Sequence, residues 1–254
     1  MKKNINMFRK IIFACSLIGA ISFQSCKTEE GDPEPTPIKA PEVTLPAAIK
    51  NVDGVLAAIV TATKNAGTEL KVGSAFAMFY KNKSPLVKLD AGTVKINTKA
   101  TTKSDDNTSF YTSSVTEPKG LEYQSQVYWQ ATGSTANDVP SINNNDGSGL
   151  PNVPVLPEYL NMNVEQDALV NWGSSFGGDS TIFILKGTSG TYKRVLNTAT
   201  SSHSIPKAEI VKLGLGTANL QVITYKLEFR ALGTKNYAFL KQSIGICSKV
   251  NITL

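Results

Sequence analysis

Residues 121–131 read Leu-Glu-Tyr-Gln-Ser-Gln-Val-Tyr-Trp-Gln-Ala, a stretch in which two kinds of side chain alternate. The apolar members would share one face of an extended chain: Leu121, Tyr123, Val127, Trp129 and Ala131. Alternation with a period of two predicts a β-strand that has one buried and one solvated face. The same signal, interrupted by Gly, Asn, Asp and Pro, recurs from Val55 onward, so we expect an all-β protein.

Other stretches extend this prediction. Residues 55–62 and 72–80 are apolar on both faces, which is typical of central strands that are covered twice, and residues 64–67 predict the turn between them. Pro206, followed by Lys-Ala-Glu-Ile-Val-Lys-Leu and Gly214, predicts one short helix. Seven further strands are predicted, over residues 93–99, 168–172, 180–186, 191–197, 219–230, 236–244 and 248–254.

The domain division rests on residues 137–157, which are rich in Asn, Asp, Gly, Ser and Pro and show no periodicity. Structureless loops longer than about 15 residues are uncommon inside compact domains, so we predict a linker over 137–160. The expected fold is then two tandem antiparallel β-sandwich domains, over 47–136 and 161–254. The second resembles an immunoglobulin or fibronectin type III sandwich in size and strand count. The alternative is a long loop within one sandwich.

The N-terminal segment has the pattern of an export signal. Residues 1–10 are basic, and residues 11–23 are apolar, which is too short for a span of about 20 residues but suits a removable secretory signal. Residues 23–26 read Phe-Gln-Ser-Cys and resemble the lipobox of Bacteroidota lipoproteins. The resemblance implies cleavage after residue 25 and a diacylglycerol on the sulfur of Cys26. The alternative is an ordinary signal peptide that leaves Cys26 as a free thiol.

The residues after Cys26 bear on location. They read Lys-Thr-Glu-Glu-Gly-Asp, which is similar to the surface-export signal of the same lipoproteins and implies an outer-membrane protein that faces the cell exterior. Five prolines follow within residues 33–46, and proline-rich chain favours the extended polyproline form. We therefore interpret residues 26–46 as a tether between the lipid and the folded part.

Charge and composition exclude several classes of function. Four of the 26 basic residues lie within residues 1–25, which leaves 22 against 20 acidic residues in the processed chain, so we expect no nucleic-acid partner. The single histidine, His203, excludes any metal cluster that needs two histidines, and we predict no metal and no cofactor. Cys247 lies among alternating apolar residues and is interpreted as a small buried hydrophobe.

Two motifs suggest activity without the context that activity requires. Residues 173–177 satisfy the G-x-S-x-G pattern, but a strand follows instead of a helix, and Asp179 is close to Ser175 in the chain. A serine hydrolase that uses Ser175 with His203 is therefore a distant alternative, and no residue is assigned a catalytic role. Residues 143–149 have the composition of a calcium loop, yet no frame supplies both the sixth-position glycine and the closing glutamate.

Binding is the function that the sequence favours. We expect a non-catalytic binding or scaffold subunit that meets the membrane through its lipid anchor and an outer-membrane protein complex or a surface glycan as partner. The alternative is a glycan-binding lipoprotein of a nutrient-uptake system, because sugars stack on exposed aromatic rings. The candidate rings are Tyr159, Tyr128, Trp129 and Trp172.

Overall fold

The computed structural model describes residues 45–83, 87–123, 125–145, 147–173, 176–197 and 200–254. Strands account for 54% of the described residues, so the all-β class is confirmed. The predicted signal, lipid site and tether, residues 1–44, lie outside the described residues.

The first half of the chain contributes eight of the described strands, several of them very short. They are β1 (Gly54–Asn65), β2 (Thr68–Phe79), β3 (Val94–Ile96), β4 (Lys99–Ala100), β5 (Thr102–Lys103), β6 (Ser109–Tyr111), β7 (Tyr128–Ala131) and β8 (Ile142–Asn145). Short 3-10 turns lie at Lys81–Lys83 and Thr135–Asn137.

The second half contains longer strands and the predicted helix. They are β9 (Tyr159–Asn163), β10 (Ala168–Asn171), β11 (Ser180–Lys186), β12 (Thr191–Leu196), β13 (Ser202–Ile205), α1 (Lys207–Leu213), β14 (Gly216–Leu232) and β15 (Lys235–Thr253). The helix begins after Pro206, and the Asp167 carboxylate accepts a hydrogen bond from the Lys207 N–H at 2.8 Å. Gly214 follows its last residue, as the sequence predicts. No helix among the described residues is long and apolar enough to cross a membrane.

One large sheet organises the described residues. Its strand order is β12-β11-β14-β15-β1-β2-β6-β5, and β9 pairs with the distal part of β15. A four-stranded sheet, β4-β3-β7-β8, and a two-stranded sheet, β10-β13, accompany it. We call the face of the large sheet that these smaller sheets cover the inner face, and the opposite face the outer face.

The inner face carries two apolar cores. In the first core, Leu56, Phe79 and Tyr237 of the large sheet pack against Ile96 and Trp129 of the four-stranded sheet. In the second core, residues of β11, β14 and β15 pack against β10, β13 and α1; its members include Phe183, Leu220, Cys247, Val170 and Ile210. The two cores therefore lie at opposite ends of the same long strands.

The expected division into two tandem domains is not confirmed. β1 pairs in parallel with β15, from Gly54 opposite Tyr237 to Thr63 opposite Ile246. Strands from 47–136 and from 161–254 thus share one hydrogen-bonded sheet. A parallel pair needs a long crossover, and here residues 66–234 separate the two strands, which is why local sequence patterns gave no sign of it.

The prediction of two strands at 236–244 and 248–254 is wrong because β15 is continuous. Ala218 faces Val250 and Leu220 faces Cys247, so two residues of β15 oppose one residue of β14. Such a β-bulge shifts the side-chain alternation by one position. Cys247 and Val250 consequently point into the same core, and the phase slip in the sequence imitates a break between strands.

The prediction of a strand over all of 121–131 is also wrong, since only Tyr128–Ala131 is extended in a sheet. Leu121 and Val127 are buried and Glu122 and Gln126 are exposed, so the predicted faces are correct even where the strand is missing. The Gly73 N–H donates to the Lys119 carbonyl, and the Gly73 carbonyl accepts from the Leu121 N–H. After Leu121 the described chain moves away from the edge of β2. In the described residues before Tyr128, the alternation therefore indicates which side chains are buried, although these residues do not form a strand.

Candidate functional site

The predicted linker, 137–160, includes β8 and the start of β9, and between these strands residues 147–156 lie across the inner face between the two cores. We call residues 147–156 the strap. The Lys241 ammonium donates to the Ser148 carbonyl at 2.7 Å, and the Ser243 hydroxyl donates to the Pro151 carbonyl at 2.6 Å. A Cβ on Gly245 would lie 2.4 Å from the Pro154 carbonyl oxygen, so the strap also needs a glycine beneath it. These contacts explain why a segment without periodicity has a fixed path.

The sheet beneath the strap is polar where the cores are apolar. Thr181, Thr224 and Ser243 are opposite one another on three adjacent strands, and all three are fully buried. The Thr181 hydroxyl lacks a hydrogen-bond partner in the part of the chain that the structure describes. Small hydroxyl side chains leave room for the strap backbone, which large apolar residues would not.

A cleft of about 540 Å³ opens at one side of the strap. Val60 and Gly73 form part of its floor, and Leu121 and Leu150 come from the two segments that flank it. Its rim carries two ion pairs, Lys71–Glu69 at 3.4 Å and Lys119–Glu122 at 3.9 Å. The volume suits a small ligand. Because the rim carries both positive and negative side chains, it favours neither an anionic nor a cationic ligand.

A smaller cavity of about 200 Å³ lies at the other side of the strap. Lys226 and Lys241 face it from adjacent strands, and Asp179 and Glu228 supply carboxylates. Asp179 already accepts the Leu227 N–H at 2.7 Å, which fixes this carboxylate beside β14, just before β11 begins.

Tyr159 is the most exposed of the four candidate rings, at 63%. The Lys249 ammonium lies 4.4 Å from the ring centroid and donates to the Tyr159 hydroxyl at 2.9 Å and to the Glu158 carboxylate at 2.8 Å. An ammonium at this distance from a ring is attracted to its face. Tyr159 and Lys249 thus form an aromatic and cationic surface at the bulge of β15.

Glu158 connects this surface to the β1–β2 turn. Its second carboxylate oxygen accepts the Gly67 N–H at 2.9 Å. The hydrogen bond from Lys249, followed by those from the Gly67 and Ala66 amides, lowers the pKa of Glu158 from 4.5 to about 2. The carboxylate therefore stays ionised and ties the turn of the first half to the end of the second half.

The other candidate rings are poorly placed for a ligand. Trp129 is 2% exposed in the first core and Trp172 is 3% exposed in the second. The Trp172 indole N–H donates to the Thr200 carbonyl at 3.0 Å, so its polar atom is also satisfied. Tyr128 is half-buried, and its hydroxyl donates to Asn143 at 2.7 Å. The assignment of Trp129 and Trp172 as ligand platforms is therefore wrong, because both rings pack inside.

Two residues of the serine hydrolase alternative, His203 and Asp179, have other partners. Ser175 lies outside the described residues. The Nε2 atom of His203 is 3.0 Å from the Tyr192 hydroxyl, which also accepts from Arg194 at 3.3 Å. Burial, and then the charge of Arg194, lower the pKa of His203. Asp179 is engaged with Leu227 and not with His203.

The predictions about metals and about the cysteines can be compared with the structure only where their residues are described. No cluster of three or more His, Cys, Asp or Glu that could hold a metal occurs among the described residues, and Asp146 of the calcium-like stretch lies outside them. Cys247 is buried in the second core, its thiol donates to the Glu158 carbonyl at 3.5 Å, and burial raises its pKa. Cys26 lies outside the described residues.

The outer face was not singled out by sequence reasoning. A row of side chains crosses it on six adjacent strands: Val195, Ile182, Ile223, Ile244, Thr61 and Val72. Val195 is 68% exposed, and Phe229, farther along β14 on the same face, is 52% exposed. Leu45 and Ile49 pack over the other end of this face. The apolar positions on both faces of 55–62 were the available signal.

No family model, no curated protein and no solved structure matches this chain. Any functional conclusion therefore rests on the sequence itself and on the geometry of the described residues.

Proposed function

We propose that this protein is an outer-membrane lipoprotein, anchored through Cys26 and displayed on the cell surface, that acts as a non-catalytic binding or scaffold subunit of a membrane protein complex. The sequence support is the lipobox-like Phe-Gln-Ser-Cys at 23–26 and the acidic residues that follow it. The structural support is the outer face of the large sheet. A lipid anchor would hold the protein beside other outer-membrane proteins, which are the partners that the proposal names.

The exposed apolar side chains of the outer face carry the binding part of the proposal. Val195 and Phe229 stand on different strands of one sheet and each exposes more than half of its surface. Apolar side chains exposed together on one face of a folded protein mark a site of interaction. The half-buried Ile182 lies next to Val195 on this face, and Phe229 lies farther along β14.

Purification of the lipidated protein from detergent-solubilised membranes tests this proposal. We expect a defined outer-membrane protein to co-purify, and the double variant Val195→Ser, Phe229→Ser to reduce its yield at least about tenfold. The matched control is Val115→Ser, since Val115 is fully exposed but lies in the loop after β6, outside the strands. Equal yields from all three proteins would contradict the proposal. Mass spectrometry of the same material checks for acyl chains on Cys26.

Glycan binding is a second candidate, and the exposed Tyr159 ring favours it. Sugars stack on aromatic faces, and Lys249 and Glu158 provide hydrogen-bonding groups next to this ring. Affinity electrophoresis in polysaccharide gels would show retardation that Tyr159→Ala abolishes and Tyr128→Ala retains. Unchanged migration of the wild type in every polysaccharide would eliminate this candidate.

A further inference from the structure

The outer edge of β2 is open over residues 68–72. β1 pairs with β2 along its whole length, but on the opposite side β6 pairs only with residues 75–77 among the described strands. The next contact on that side is the bridge at Gly73, where the Gly73 N–H donates to Lys119 and the Gly73 carbonyl accepts from Leu121. In the part of the chain that the structure describes, no strand continues this pairing toward Thr68.

The direction of the free backbone groups follows from Gly73. In an antiparallel pair, successive residues alternate between bonding inward and pointing outward. Because the amide and carbonyl of Gly73 point away from β1, those of Lys71 and Glu69 point the same way. This edge therefore offers two N–H groups and two carbonyls that a further strand could use, and unpaired edges of this kind are templates for association.

The side chains on this edge complement a second copy of themselves. Glu69 and Lys71 lie on one face of β2 and Leu70, which is 50% exposed, lies on the other. In an antiparallel pair centred on Leu70, Glu69 of each copy is opposite Lys71 of the other, and the two leucines meet. The oppositely charged pairs, Glu69 of one copy with Lys71 of the other, are also the pairs whose backbone N–H and carbonyl groups point away from β1.

Other registers lack this agreement. A pair centred on Glu69 puts two glutamates directly opposite each other, and one centred on Lys71 does the same with two lysines. Like charges opposite each other destabilise a strand pair, whereas opposite charges stabilise it. Shifting the pair by a single residue would set outward-pointing groups against inward-pointing ones. Charge and backbone direction thus select the register centred on Leu70.

We propose that two copies of this protein associate through the edges of β2, antiparallel and centred on Leu70, to form one continuous sheet with two-fold symmetry. The interface is isologous, since the same residues contribute from both copies. Reciprocal hydrogen bonds join Glu69 of one copy to Lys71 of the other, the same two side chains form ion pairs, and Leu70 packs on Leu70 of the second copy. The weak ion pair between Glu69 and Lys71 within one chain is exchanged for two pairs between chains.

Charge reversal tests the proposal on the full processed chain in detergent, by sedimentation equilibrium. We expect the wild type to dimerise, and Glu69→Lys and Lys71→Glu each to weaken the dimer at least about tenfold, because each replaces two attractive pairs by two repulsive ones. A mixture of the two variants should form heterodimers. The double variant Glu69→Lys, Lys71→Glu should dimerise as the wild type does, which a variant that had lost its fold could not do.

Cross-linking tests the register. Leu70→Cys should give a covalent dimer under mild oxidation, because side chains opposite each other at the two-fold axis are within disulfide reach. Val211→Cys is the matched control, since Val211 is 58% exposed and lies on α1, outside the large sheet.

Several results would overturn the proposal. They are a monomeric wild type, single charge variants that dimerise unchanged, or Val211→Cys that cross-links as readily as Leu70→Cys. A monomeric wild type that still co-purifies with an outer-membrane protein would remove the dimer while leaving the proposed binding function intact. Loss of co-purification with an intact dimer would do the reverse.

Discussion

The two cores of the inner face draw on different parts of the chain. The second core consists of residues between Leu156 and Ile252, whereas the first combines residues between Leu56 and Ile142 with Tyr237 and Phe239 from β15. The first core therefore depends on a strand that is also held in the second core, and the second has no such dependence on β1 or β2. The first core therefore needs β15 from the second half, whereas the second core needs no strand from the first half.

The largest expected effect comes from removing one large buried ring from each core in turn. Trp129→Ala and Trp172→Ala should each lower the free energy of unfolding by about 3–5 kcal/mol, because each removes a large buried ring. Denaturant titration measures this loss. Hydrogen exchange then separates the two variants: Trp129→Ala should speed exchange only in the strands of the first half, β7 included, and Trp172→Ala should speed it in both halves. Selective loss in the second half for Trp172→Ala would contradict the one-way dependence.

A larger side chain on the sheet beneath the strap should lower the free energy of unfolding. Gly245→Ala should destabilise the protein by about 1–3 kcal/mol, because its Cβ would overlap the Pro154 carbonyl. Ser243→Ala is the milder companion variant and should cost about 1 kcal/mol, since it removes the hydroxyl that bonds to Pro151. Thermal or denaturant unfolding measures both. A neutral Gly245→Ala would mean that the strap does not lie on the sheet.

The ionised Glu158 should link stability to pH in the acid range. Its pKa is lower in the folded state, so its contribution is complete above about 4.5 and is lost as pH falls toward 2. Unfolding measured across this range should show a steeper loss for the wild type than for Glu158→Gln. Lys249→Met should flatten the same slope, because Lys249 is the main cause of the shift. Parallel slopes for all three proteins would show that this contact does not join the two halves.

The smallest expected effect concerns the second half alone. Burial lowers the pKa of His203, so folding favours the neutral ring, and stability should fall as pH drops below about 6.5, the value for an unperturbed histidine. His203→Gln should remove this component of the pH dependence between 7 and 5 and leave the slope due to Glu158. An unchanged profile in that interval would show that the ring titrates alike in both states.

Local sequence patterns predicted local structure well. β11 was predicted over 180–186 and is Ser180–Lys186, and the helix at Lys207–Leu213 follows Pro206 as expected. These elements are defined by alternation, turns and caps, which act between near neighbours in the chain. The burial of Leu121 and Val127 was also predictable, because it follows the same alternation.

The remaining features depend on contacts between distant residues. The parallel pairing of β1 with β15 joins the two ends of the described chain, and the bulge at residues 248–249 hides the continuity of β15. The strap has a fixed path because of hydrogen bonds to Lys241 and Ser243, about 93 residues away. Of the candidate site residues, Tyr159 is exposed as the sequence suggested, whereas Trp129 and Trp172 are buried by partners that their own segments do not reveal.

Native-state hydrogen exchange at residues 241–246 tests most directly whether one strand serves both cores. These amides lie between the two cores, beneath the strap and inside the run of β15 that pairs with β14 and β1. We expect protection comparable to that of Phe239 and of Cys247 on either side. Fast exchange confined to 241–246, between two protected blocks, would contradict a continuous sheet and would restore the division into two separate domains.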